Sequence, residues 1–243
     1  MSLVSLPHPL HSVVRGSETS FGGCQTWSAD PVIRDVGCGV VAAEDLLIHL
    51  ARHHDYPGGL FEGLPDPIAA ADYFRLAGIL KKRYFPLIPR FGINGLLLAG
   101  GMNRYFRKYR IPLSASWGLT EGSLFPSMEL SLRRDIPVIL AVGPNFPALW
   151  QDRRLNLYTE KPDGILARSC GTKAHYVTVT AMDDVWLHLS SWGRKYRISR
   201  REYLQYMHSC SLPVFSNILH VRPRQKEAPV SPAAGRQAPQ SHK

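Results

Sequence analysis

Apolar residues recur at helical spacing in five stretches of the chain and gather or alternate at strand spacing in four others. Val40, Val41, Leu46, Leu47 and Leu50 form a stripe that predicts a helix from Cys38 to His53, with Glu44, Asp45 and Arg52 left to face water. A second helix is expected over Ile68 to Tyr84, between Pro67 and Pro86, and a third over Gly95 to Tyr109, weakened by Gly100-Gly101. Ser127 to Arg134 reads as a short helix leading through Asp135-Ile136-Pro137 into a strand, Val138 to Val142. The chain then runs loop-rich to Ala174. Two strands follow, Tyr176 to Thr180 and Val185 to Leu189, close enough across Met182-Asp183-Asp184 for a hairpin. Ser199 opens a helix to His208, with Glu202 at the capping-box position, and Val214 to Val221 closes the chain as a strand. Helices first and antiparallel strands later indicate an α+β fold.

Residues 1–20 carry Pro7, Pro9 and Gly16 among polar neighbours and are expected to form a flexible arm. Residues 21–221 are expected to form one domain. Residues 222–243, rich in Pro, Ala, Gln and Ser, have no apolar period and read as a disordered basic tail. The 243 residues suffice for a core that needs no staples. No apolar run approaches the roughly 18 residues of a membrane span, and Met1 to Leu10 lack the build of a secretory signal. The expected location is therefore the cytoplasm, with no membrane partner.

The formal charge is +10, of which the tail supplies +4. Such a balance favours acidic partners through a basic surface, yet no base-reading motif accompanies it, so nucleic acid is not the expected partner. The four cysteines, Cys24, Cys38, Cys170 and Cys210, include no C-x-x-C pair and are expected as free thiols. The histidines, His53-His54 and the scattered His8, His11, His208 and His220, form no recognisable zinc set. The adjacent pair at a helix end reads as a charged cap.

Cys38 stands where a helix begins, between Gly37 and Gly39. Unpaired backbone N–H groups and the helix dipole there favour a thiolate and lower its pKa, and the glycines leave room for a substrate backbone. The plainer alternative is a small buried hydrophobe. His175 heads a strand and supplies a general base if fold brings it to the sulfur. Ser190, at the end of the return strand, is placed to accept from its ring.

These segments, Gly37-Cys38-Gly39, His175-Tyr176-Val177-Thr178-Val179 and Ser190-Ser191-Trp192-Gly193, together resemble the papain-like cysteine peptidase superfamily. The nearest branch is that of bacterial peptidases and peptidase-like domains related to the bacteriocin-leader-processing enzymes. The resemblance spans roughly Cys24 to Val221 and implies a papain-like fold. It implies Cys38 as nucleophile, His175 as base, Ser190 as orienting residue and Trp192 as the cover over that contact. Two positions depart from the family. Ser190 stands where it has Asn or Asp, and Val32 occupies the place of its oxyanion-hole Gln. The nearest upstream Gln is Gln25, thirteen residues before Cys38, which is the candidate donor in its place. The implied activity is a cysteine peptidase or amidase acting on a peptide or amide substrate through an acyl-thioester, with no metal or organic cofactor. The alternative is a catalytically weak or inactive domain that binds peptides or acidic partners.

Overall fold

In the computed structural model, which describes residues 3–224, the chain opens with strands rather than a loose arm. Strands β1 (Val4–Ser5), β2 (Ser12–Arg15) and β3 (Glu18–Phe21) come first, with Leu6, Leu10 and His11 buried between β1 and β2 and Val13 buried within β2. The expected flexible arm is thus corrected. Its apolar residues, too few to show a period, are spent individually against the domain. The basic tail beyond residue 224 lies outside the described residues.

Helix α1 (Pro31–Val36) leads directly into α2 (Cys38–His53), which has the bounds the apolar stripe predicts. A two-residue strand β4 (Ile68–Ala69) precedes α3 (Ala70–Arg83), and α4 (Gly95–Lys108) starts on an Asn94 cap that accepts from Leu97 N–H at 2.9 Å. β5 (Leu113–Trp117), α5 (Leu124–Arg133) and β6 (Val138–Val142) follow. The stretch expected as loop contains the hairpin β7 (Leu155–Glu160) and β8 (Leu166–Thr172). The histidine strand β9 (His175–Met182) turns into β10 (Trp186–Ser191), then β11 (Arg194–Ser199), α6 (Arg200–Cys210) and β12 (Leu219–Pro223). Ser199 caps α6, accepting from Glu202 N–H at 3.4 Å, but the Glu202 carboxylate takes the Tyr158 hydroxyl (2.7 Å) instead of completing a capping box.

The class is mixed α and β with antiparallel sheets. The largest sheet runs β1-β9-β10-β11-β7-β8, with β6 also on β9. β5 pairs with β12, and β2 joins β3 on one side and β4, in parallel, on the other. Alternate residues of β6 divide the core. Ile139 and Ala141 face α2, α3 and α4, while Val138, Leu140 and Val142 face α5, α6 and the inner residues of β10 and β11. The sheet is therefore a partition, and α2 lies against β9 with its N-terminus at the strand's start.

Candidate active site

The Cys38 helix begins abruptly because α1 ends on Gly37, whose N–H donates to Ile33 O at 2.8 Å. Neither flanking glycine opens room for a substrate. A Cβ at 37 would meet Ile33 O at 2.3 Å, and one at 39 would meet Ile93 Cγ2 at 2.6 Å. They are small because α1 and Ile93 crowd the helix start, which corrects the sequence expectation.

Cys38 is half-buried overall, and its sulfur receives the backbone N–H groups of Tyr176, Gly39 and Cys38 itself. Burial raises its pKa above the ordinary thiol value, and those amide contacts pull the other way without prevailing. The lowered pKa expected at a helix N-terminus is not what the structure has: desolvation outweighs dipole and amides.

His175, the first residue of β9, pairs with Val142 of β6. It is buried and its pKa is lowered to about 4 by desolvation. Nε2 lies 2.8 Å from Ser191 Oγ. The Trp192 ring stacks on the imidazole at 4.3 Å, with 14° between the planes. Trp192 thus occupies the covering place that the resemblance implies. It does so at positive φ (48°), sharing a two-residue turn with Gly193 (72°) between β10 and β11. A bulky residue in that region costs about 1–2 kcal/mol, offset here by ring stacking.

Ser190 does not meet the histidine. Its hydroxyl donates to Phe21 O at 2.5 Å. The cause is a register shift in the β9–β10 ladder. Leu187 opposes Met182 and His188 opposes Ala181, but Leu189 opposes Val179 and Ser190 opposes Thr178. Without that bulge Ser190 would share the face of His175. The extra residue on β9 gives the face to Ser191 instead.

Gln25 lies in a 3₁₀ turn, buried, with one amide hydrogen donated to Arg34 O at 3.1 Å. The other remains for the cavity. Gln25, Cys38, His175, Ser190, Ser191 and Trp192 all line one narrow cavity of about 10 Å³, room for roughly a single water. Cys38 and His175, remote in sequence, thus line the same cavity.

Asp45 also lines this cavity. It accepts from Gly23 N–H (2.9 Å) and from the Tyr73 hydroxyl (2.8 Å), which ties the loop carrying Gln25 to α2. His11 Nε2 is 3.2 Å from the same carboxylate, off the hydrogen-bonding direction. Sequence periodicity carried the signal: 38, 41, 42 and 45 fall on one helix face. The expectation that Glu44 and Asp45 face water is corrected. Both are buried, and among the described residues both Glu44 oxygens are without a hydrogen-bond partner. Burial, then Asp45, pushes the Glu44 carboxyl well above its ordinary pKa.

Elsewhere Cys24 is buried against Thr26 (3.1 Å), and Cys170 lies on β8 away from the cavity lining. The charged cap expected of His53 is not what the structure has. His8, His49 and His54 bond to Asp135 at 2.7, 3.0 and 2.9 Å, and His53 stacks on His8 with its pKa lowered by burial. Among the described residues no group of three or more His, Cys, Asp or Glu is arranged to hold a metal ion. No helix among them is long and apolar enough to cross a membrane. No family model, curated protein or solved structure matches the chain.

Proposed function

We propose that the chain is a cysteine hydrolase, a peptidase or amidase, of papain-like architecture. The observation that carries this reading is the convergence of Cys38, His175 and Gln25 on one cavity, with the imidazole fixed by Ser191 below and Trp192 above. With Nε2 protonated, the Ser191 oxygen accepts and Nδ1 is left as the base. Cys38 Sγ attacks the carbonyl carbon while His175 takes the thiol proton. The free Gln25 N–H and the helix-start amides stabilise the oxyanion. Collapse breaks the C–N bond, and His175 returns the proton to the leaving amine. Water, deprotonated by His175, then releases the acyl group. Raised thiol and lowered imidazole pKa values mean that the pair rests neutral, so proton transfer accompanies attack rather than preceding it.

A second reading, a peptidase-like domain that binds without cleaving, is favoured by the same neutral resting pair and by the narrowness of the cavity. The experiment that separates them uses a panel of peptidyl chloromethyl ketones read by intact mass. The hydrolase reading expects one adduct, on Cys38, absent in Cys38→Ala, retained in Cys24→Ala and slowed at least about a hundredfold in His175→Ala. An adduct rate indifferent to His175 supports the binding domain.

A further inference from the structure

A row of side chains crosses the open face of the large sheet. Ala181 pairs with His188, His188 with Arg197, Arg197 with Tyr158, and Tyr158 with Arg168. Directly opposed residues share a face, and Lys195 joins them two positions before Arg197. The other face is the apolar core of Leu187, Leu189 and Ile198. Residues 5–10 wall one side of the row, leaving a trough of about 580 Å³, a size suited to a ligand.

The trough is cationic in a specific way. Arg197 is held by Glu160. Arg194 and Lys195, which line the trough, form no ion pair among the described residues, and Lys195 Nζ stands 4.7 Å over the Phe21 ring. The trough also leads toward the thiol. Arg194 and Tyr196 line both it and a neighbouring cavity of about 500 Å³, to which Trp192, the ring stacked on His175, also belongs.

We propose that this trough docks an acidic segment of a peptide whose adjoining residues reach Cys38, so that acidic peptides are the substrate class. The second half rests on the hydrolase reading; the docking does not. A peptide fits better than a nucleic acid strand because Glu160 stands in the wall. A phosphodiester chain carries charge at every unit and would meet that carboxylate, whereas a peptide can place a neutral residue there.

The test is fluorescence anisotropy on the full chain with a fluorescein-labelled decapeptide alternating Glu and Ser, compared with versions carrying Gln or Lys for Glu. The Glu peptide is expected to bind most tightly and to weaken as salt rises. Combined Arg194→Glu and Lys195→Glu should cost about tenfold, and Arg194→Gln with Lys195→Gln a smaller factor. Unchanged circular dichroism of the Gln pair guards against misfolding. Binding no tighter than the Gln peptide, or a change under twofold in the Glu pair, overturns the proposal. So does tighter binding of a ten-nucleotide oligothymidine. Docking retained by a protein that forms no Cys38 adduct upholds the trough and overturns the hydrolase.

Discussion

Glu44 places an ionisable group in the middle of α2 with no exposed surface and, among the described residues, no hydrogen-bond partner for either oxygen. Tyr73, Tyr105 and Asp45 are the titratable groups that feel it. The folded chain keeps it protonated, whereas the unfolded chain releases the proton near 4.5. A carboxyl pKa raised by folding gives stability that is fully present below the unfolded value and is lost as pH rises toward the folded one. Across that window the loss is about 1.4 kcal/mol per pH unit. Over each pH unit above 5 in which the folded carboxyl stays protonated, that amount is lost for this one group. Glu44→Gln keeps the shape and removes the titration. Urea unfolding of both proteins at pH 5, 6 and 7 should show the variant gaining on the wild type by that amount. Glu44→Met, which removes the buried polar group, should be the more stable of the two variants at pH 7. A wild-type-minus-variant difference that stays flat over the range would refute the reasoning, since a partnered or hydrated carboxylate titrates alike in both states.

Further outcomes follow from the cavity and its supports. Ser191→Ala should slow chloromethyl ketone adduct formation on Cys38 by about tenfold, and Ser190→Ala should leave it within about twofold, measured by adduct mass against time. His175 is buried neutral with a pKa of about 4, so its stabilising share is present above the ordinary 6.5 and is lost as pH falls. His175→Gln should therefore close the gap to wild type by about 3 kcal/mol between pH 7 and pH 4 in the same unfolding assay. Tyr73→Phe should cost about 1–3 kcal/mol by urea unfolding, because the buried Asp45 loses a donor.

The long helices were legible because a 3.6-residue period repeats over several turns, as in α2 and α4. The shorter elements were not. Leu113–Trp117 and the β7–β8 hairpin are too brief or too polar to show a period, and their partners lie far along the chain. The convergence of Cys38 with His175 could be read from helix and strand starts. The identity of the serine could not, because it turns on one extra residue in β9 that no local propensity marks. Thiol pKa failed for a related reason: the helix dipole is written in the sequence, but the burial that raises the pKa is made by tertiary packing. Polar residues at Glu44 and Asp45 misled because polarity argues for water until tertiary contacts decide otherwise.

Strand β1 is synthesised long before the strand it pairs with. Val4 and Ser5 pair with Met182 and Ala181, residues that leave the ribosome only when most of the chain has been synthesised. Residues 4–6 must wait without their sheet partner through that interval, whereas Val13 finds Ser20 and Ile68 early. Completion of the large sheet therefore joins an early stretch of the described chain to a late one. The cavity that Cys38 lines likewise waits for His175 and Ser191, so a nascent fragment that stops short of them does not have it.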